Sequence, residues 1–180
     1  MSDSLLLVEQ CKQNNRKAQM ALYSQYCEGM FVVAQRYLRN TAEAEDAMQE
    51  AFIKAFQRLY QFKGDVTFGS WLKRIVINTC LDAIKARKME LYSINEEVLS
   101  FADDEDNWSV DEDTTFEKVQ GAIDELSTNY KTIVKLYLLE GYDHQEISQI
   151  LNISETASRT NLHRGKLQLK RNLKQLQNGT

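Results

Sequence analysis

Leu22, Tyr26, Met30, Val33 and Tyr37 recur at steps of three and four, the period of a helix, and predict one over residues 18–38. A shorter helix is expected over residues 4–12, ended by Gln13-Asn14-Asn15. Asn40-Thr41 breaks the pattern, and Thr41 reads as the next N-cap because Glu43, Glu45 and Asp46 crowd the following turn, where the helix dipole favours anions. Ala47, Ala51, Phe52, Ala55, Phe56 and Leu59 then form a broad apolar stripe. Residues 61–70, QFKGDVTFGS, carry two glycines and read as a loop. A further helix is expected from about Gly69 to Lys88, with Trp71, Leu72, Ile75, Val76 and Ile84 turned inward.

A second helical block starts near Thr114, where Phe116, Val119, Ile123 and Leu126 share a face. Ser127 is placed to cap a helix carrying Ile133, Val134, Leu136, Tyr137 and Leu138, and Gly141 to end it. Asp143 and Glu146 have capping-box spacing at the start of a short helix over residues 144–151, whose inner face is Ile147, Ile150 and Leu151. Asn152-Ile153-Ser154 is a turn, and Ser154 caps the last helix. The expected fold is all-α: two small helical domains, 1–88 and 114–180, joined by a linker over 89–113.

Composition agrees with helices, since the chain has no proline and only 7 glycines among 180 residues. No apolar run reaches membrane-spanning length, and MSDSLLLVEQ lacks the basic flank and cleavage site of a secretory signal. The three cysteines, Cys11, Cys27 and Cys80, are far apart and odd in number, which fits a reducing cytoplasm better than a disulfide framework. They lack zinc spacing, and His144 and His163 cannot make a metal site alone, so no metal or cofactor is expected.

Charge changes the picture more. Residues 1–88 hold 13 Lys and Arg against 9 Asp and Glu, and residues 118–180 hold 9 against 6. Between them, residues 89–117 hold 11 acids and no Lys or Arg. The net charge of −4 therefore hides two mildly basic ends around an intensely acidic middle. That middle reads as a mobile, self-repelling linker, although Phe101 and Trp108 are unusual in a plain spacer.

A short capped helix, a tight turn and a longer helix with a basic face form a helix-turn-helix pattern. On a wheel at about 100° per residue, Ser158, Leu162, Gly165, Leu169, Leu173 and Leu176 take the core side. Arg159, Thr160, His163 and Arg164 fall on an adjoining arc of hydrogen-bond donors suited to base edges and flanking phosphates in a major groove. Lys166, Lys170, Arg171 and Lys174 continue the positive charge, where phosphate contact needs no sequence preference. A solvated cationic face would explain a lone basic helix; the capped helix and turn before this one favour DNA.

In the first block, Asp46, Gln49 and Glu50 lie opposite Ala47, Ala51 and Phe52, an exposed face suited to a basic or polar protein. FKGDVTFGSWLKRIVINTCLDAIKARK sets Phe62, Phe68 and Trp71 beside Lys63, Lys73, Arg74, Lys85, Arg87 and Lys88. Aromatics and cations beside a loop can hold single-stranded nucleic acid by stacking and charge neutralisation, although Trp71 is expected in the core.

DAMQEAFIKAFQRL, FKGDVTFGSWLKRIVIN and LEGYDHQEISQILNISETASRTNLHRGK, in that order and spacing, resemble the extracytoplasmic-function (ECF) sigma factors of bacterial RNA polymerase. The resemblance covers about residues 15–88 and 114–175. It implies that the first block is sigma region two: Asp46, Gln49 and Glu50 would dock on the β′ clamp of core polymerase. Phe62, Lys63, Gly64, Asp65, Thr67, Phe68, Arg74 and Asn78 would then meet the −10 element, capturing a base as the duplex melts. It implies that the second block is region four, with Arg159, Thr160, His163, Arg164 and Lys166 on the −35 element and other surfaces on the β flap. Promoter DNA and core polymerase are then partners, and an anti-sigma factor is a further partner that the resemblance suggests. Thr156-Ala157-Ser158 stand where the family often has Gly-Thr-Val, and Asn161 replaces a common Arg, so no particular −35 sequence carries over.

Two other functions compete. A stand-alone helix-turn-helix regulator would bind an operator tightly without polymerase, usually as a dimer on a palindrome. An enzyme is disfavoured, because no phosphate-cradling glycine loop, zinc-helix motif or nucleophile elbow is present.

Overall fold

The computed structural model describes residues 3–91 and 115–178. Within them every regular element is helical, and the chain divides into two compact units, 1–99 and 100–180. The acidic segment expected as a linker over 89–113 lies outside the described residues, except that the helix before it continues to Leu91.

The first unit contains α1 (Asp3–Lys12), α2 (Arg16–Tyr37), α3 (Thr41–Gln57), a single 3-10 turn (Leu59–Gln61) and α4 (Phe68–Leu91). Asparagines separate the early helices. Asn14 takes φ +60°, which asparagine tolerates better than most residues. Asn15 caps α2, its Oδ1 accepting from the Lys17 and Ala18 amides at 3.0 and 3.3 Å. The cap of α3 is Asn40, not Thr41: Asn40 Oδ1 accepts from the Ala42 and Glu43 amides at 2.9 and 3.2 Å, and Thr41 is already helical. Both types suit an N-cap, with asparagine slightly preferred.

Ala44, Ala47, Ala51 and Ala55 are buried small residues on α3, which packs against both α2 and α4. Leu72, Val76, Ile77 and Cys80 of α4 and Leu22 of α2 are fully buried. Trp71, Ile75 and Ile84 are only half-buried, while Ile77, Cys80 and Leu81, not expected inward, are in the core. The reason is that α4 packs against α2 and α3 together, so its covered face is wider than one stripe.

The second unit contains α5 (Phe116–Asp124), α6 (Thr128–Val134), a π-turn (Lys135–Leu139), α7 (His144–Leu151) and α8 (Glu155–Asn178). Thr115 Oγ1 caps α5, but Phe116 is 63 % exposed and does not join the buried face of Ile123 and Leu126. Ser127 is the N-cap of α6 without a side-chain capping bond. The π-turn follows because Glu140 donates to the Lys135 carbonyl at 3.1 Å. Lys135 is buried there and pairs with Asp124 at 2.9 Å; Lys131 donates to the Asp124 carbonyl. Gly141, at φ +75°, then ends the segment in a conformation that suits glycine.

The capping box at α7 is complete: Glu146 N–H donates to Asp143 Oδ1 at 2.8 Å, and Asp143 N–H to Glu146 Oε2 at 3.0 Å. Ile147 is fully buried, whereas Ile150 and Leu151 are half-buried. Asn152 turns the chain at φ +54°, and Ser154 Oγ accepts from Ala157 N–H at 3.1 Å to start α8. Helix α8 is the spine of this unit, packing on α5, α6 and α7.

Candidate nucleic-acid interface

The core side of α8 is the one its periodicity predicts. Ser158, Leu162, Gly165 and Leu169 are buried and Leu173 is half-buried, while the Leu176 side chain lies outside what is described. Gly165 is required sterically: a Cβ there would stand 2.7 Å from Val134 Cγ2, so α8 makes a close approach to α6 at this residue.

The predicted donor arc is not uniform in exposure. Arg159 and Thr160 are exposed, and Arg159 Nη2 meets Glu155 Oε2 at 3.3 Å. An exposed i,i+4 pair of this kind is weak and readily exchanged for another anion. His163 and Arg164 are half-buried, not exposed as the wheel suggests. Their Nε2 and Nε atoms are buried without a hydrogen-bond partner among the described residues. Lys166 is also half-buried, its Nζ lying 5.3 Å from the centre of the Tyr137 ring. Arg171 and Lys174 are exposed further along the helix.

The joint between α7 and α8 was not legible as a feature. His144 stacks on Tyr137, with centroids 5.0 Å apart and planes 29° from parallel, and its Nδ1 lies 2.9 Å from the Oγ of buried Ser158. This bond satisfies a polar group on the core side of α8 and ties the two helices together. Burial, then the charge of Arg159, holds the imidazole below its ordinary pKa of 6.5, with Asp143 and Glu155 opposing. The one available signal was a histidine directly after a capping aspartate, facing a lone serine in an apolar stripe.

In the first unit, the loop aromatics point the other way from expectation. Phe62 and Phe68 are 4 % and 2 % exposed. They meet edge to face at 5.8 Å, and both contact Trp71, at 5.5 and 5.8 Å. Tyr26 closes the group, 5.3 Å from Phe68. The expectation that these phenylalanines stack on bases is therefore corrected: the rings are core, and burying them outweighs leaving them in water. They fix both ends of the loop instead.

What the loop exposes is Lys63, Gly64, Asp65, Val66 and Thr67. Gly64 takes φ +85°, the left-handed conformation that glycine permits. Thr67 Oγ1 accepts from Ser70 N–H at 3.2 Å and so caps α4. Arg74 and Asn78 lie on α4 beyond Trp71 and are half-buried, Arg74 with partners inside the chain. The loop residues Gly64–Phe68 face a cleft of about 510 Å³ whose other lining is Ser4, Leu5 and Tyr26.

Asp46, Gln49 and Glu50 are brought together on the exposed face of α3. Gln49 Nε2 donates to Glu45 Oε1 at 3.3 Å, and Glu50 pairs with Lys54 at 2.8 Å. The sequence reading missed Ile53, which is 58 % exposed and shares this face at helical spacing from all three. An exposed isoleucine amid polar residues is the kind of centre that protein interfaces use.

Elsewhere the described residues offer little reactive chemistry. Among the described residues no group of His, Cys, Asp or Glu is placed to hold a metal ion. Burial pushes the Cys80 thiol up to about 12 and raises Cys11 as well, so neither is a ready nucleophile. No helix of the described residues is long and apolar enough to cross a membrane.

The comparisons with known proteins follow the division into two units. The sigma-70 region 2 family model matches residues 22–89, on α2 to α4, and the sigma-70 region 4 family model matches residues 116–169, on α5 to α8. Together they span about two thirds of the chain. The ECF RNA polymerase sigma factor SigW of Bacillus subtilis (strain 168) is 28% identical over 179 residues, 94% of this chain and 96% of that protein. The ECF RNA polymerase sigma-E factor of Escherichia coli (strain K12) is 27% identical over 184 residues, 92% of this chain and 93% of that protein. Two solved structures share the fold. CnrH, in complex with the cytosolic domain of CnrY, has a TM-score of 0.58 at 20% identity, covering 94% of this chain and 96% of that one. The sigma factor RpoE of Bartonella quintana, in complex with the anti-sigma factor NepR, has a TM-score of 0.59 at 17% identity, covering 86% and 96%. With two sigma-70 regions in order and relatives of one kind along nearly its whole length, the chain belongs to the ECF sigma factors, alternative initiation subunits that direct bacterial RNA polymerase to promoters.

Proposed function

We propose that the two units divide promoter recognition, residues 1–88 serving the −10 element and the polymerase clamp, and residues 114–180 the −35 element. Arg159 and Thr160 read base edges in the −35 major groove, and Arg171 and Lys174 neutralise phosphates beyond them. His163, Arg164 and Lys166 adjoin this surface and contribute through what part of each side chain reaches it. The loop residues Lys63, Gly64, Asp65 and Thr67 hold a melted −10 base, with Arg74 and Asn78 behind them. Phe62 and Phe68 support the loop from inside. Asp46, Gln49 and Glu50, with Ile53, dock on the β′ clamp.

The observation that carries this reading is the capped helix-turn-helix whose exposed arc begins with Arg159 and Thr160, in a chain that also holds a region 2 unit. Sigma factors are initiation factors and not catalysts; this chain, on our reading, contributes recognition and melting while the polymerase supplies the chemistry. It works in the cytoplasm, where its polymerase is. A protein that restrains it is part of the same proposal, supported by the two structures of similar fold, each a complex and one of them with an anti-sigma factor.

Transcription from a library with both promoter hexamers randomised tests the division. With core polymerase the chain should enrich defined −35 and −10 sequences. Arg159→Ala should relax only the −35 preference, and Lys63→Ala should weaken only melting at −10. If both variants shift the same hexamer, the division is wrong. Tight binding of a dimer to a palindrome without polymerase would favour the stand-alone regulator.

A further inference from the structure

The loop that follows Phe62 has a wall opposite it. Across the cleft of about 510 Å³ from Gly64–Phe68 stand Ser4 and Leu5 of α1 and Tyr26 of α2. Such a volume lies in the range of about 300–1,000 Å³ typical of small-ligand sites. Its shape is set by fixed groups. Tyr26 packs edge-on to Phe68 at 5.3 Å, and a Cβ on Gly69 would lie 3.0 Å from its ring, so glycine lets the first turn of α4 settle against it. Ser4 Oγ receives hydrogen bonds from Tyr26 Oη and Gln25 Nε2, both at 3.2 Å. A hydroxyl that accepts twice still has its own proton to donate.

The lining is mixed in a particular way. Leu5 on one wall and Val66 on the other are exposed apolar side chains, 36 % and 54 % accessible. The Ser4 hydroxyl, the Thr67 side chain and the exposed Asp65 carboxylate supply polar groups. Apolar walls with a donor and an anionic acceptor between them suit a flat heterocycle bearing an exocyclic amine. Cytosine and adenine have that amine, and thymine presents a carbonyl in its place.

We propose that the start of α1 is the second wall of the pocket for an unstacked −10 base, with Leu5 and Val66 against the ring and Ser4 and Asp65 on its edge. This rests on the reading that loop 62–68 captures such a base. Helix α1 is therefore part of promoter recognition as well as a brace for α2 and α4.

The test uses the chain assembled with core polymerase on a promoter it transcribes. An abasic site is moved through the −10 element of the strand that stays single, and open-complex lifetime is measured. One position should cost about tenfold, the scale of a lost base–wall contact. Leu5→Trp fills the cleft from α1 and should shorten the lifetime by about tenfold on intact DNA. On DNA abasic at that position it should cost nothing further. Ser4→Ala removes one hydroxyl with little risk to folding and should cost about threefold to fivefold, again only when the base is present. If one abasic position matters but both variants behave as wild type, or lose equally on intact and abasic DNA, the α1 wall is overturned and loop capture stands. If no abasic position matters, loop capture falls and the α1 wall with it.

Discussion

Helix α8 and the loop 62–68 both carry polar residues towards DNA on our reading, and they reach the surface by opposite routes. In α8 the scaffold and the reading residues alternate on one rigid element: Ser158 and Leu162 point in, Arg159 and Thr160 point out. In the loop, the scaffold is two aromatic anchors at its ends, Phe62 and Phe68, and the exposed residues hang between them. A helix holds its side chains at fixed spacing, which suits the regular edges of a duplex. A loop pinned at both ends can offer a concave surface, which suits a base already removed from its stack. The lesson is that an aromatic residue beside cations is not thereby a stacking platform; its burial decides.

The contrast breaks first at Phe68. Phe68→Ala removes a ring that contacts Phe62, Trp71 and Tyr26, and should destabilise the first unit by about 3–5 kcal/mol, as large core truncations do. Denaturant unfolding checks this; a variant as stable as wild type would restore Phe68 to the list of base contacts. Arg159→Ala should leave stability within about 0.5 kcal/mol, because its partner Glu155 is an exposed neighbour. It should cost about 1–3 kcal/mol of discrimination at one −35 base pair. Arg164→Ala sharpens the point, since part of that side chain is buried: it should lower stability more than Arg159→Ala does, by thermal melting of the two variants in parallel. Equal losses would mean the arc is as uniform as the wheel drew it.

The smallest effect is at the α7–α8 joint. His144 should titrate below 6.5, read by NMR of its ring protons in the intact chain. Arg159→Ala should raise that value by removing the second of its three lowering causes, which are burial, Arg159 and Lys166. With the folded value depressed, the unfolded chain binds more protons in the window between the folded value and 6.5, so stability rises with pH there. The contribution is complete above 6.5 and fades as pH falls through the folded value. A His144 titrating at or above 6.5 would contradict the packed, desolvated joint.

Much of this was legible because local chemistry and the tertiary fold agree. Asp143 and Glu146 announce a capping box and form one; Gly141 and Asn152 stand where φ is positive. The core side of α8 follows from period alone: its buried residues Ser158, Leu162, Gly165 and Leu169 recur at steps of three and four. The failures have a common physical cause, which is that periodicity shows the direction of a side chain and not what comes to meet it. Ile77, Cys80 and Leu81 are buried because α4 is covered by two helices. His163 and Arg164 are half-buried on the donor arc, and no one-dimensional pattern marks Gly165 as the place where α8 meets α6. Thr41 lost the cap of α3 to Asn40 by one residue, where two good cap formers stand side by side. The cleft beyond Gly64 was invisible, since α1 lies about sixty residues from the loop it faces.

The division of labour itself is tested most directly by DNA footprinting with and without core polymerase. The account predicts protection at both the −35 and −10 elements only when the chain is mounted on polymerase, with the two units engaged at separate sites. Full protection of both by the chain alone, unchanged when polymerase is added, would contradict it.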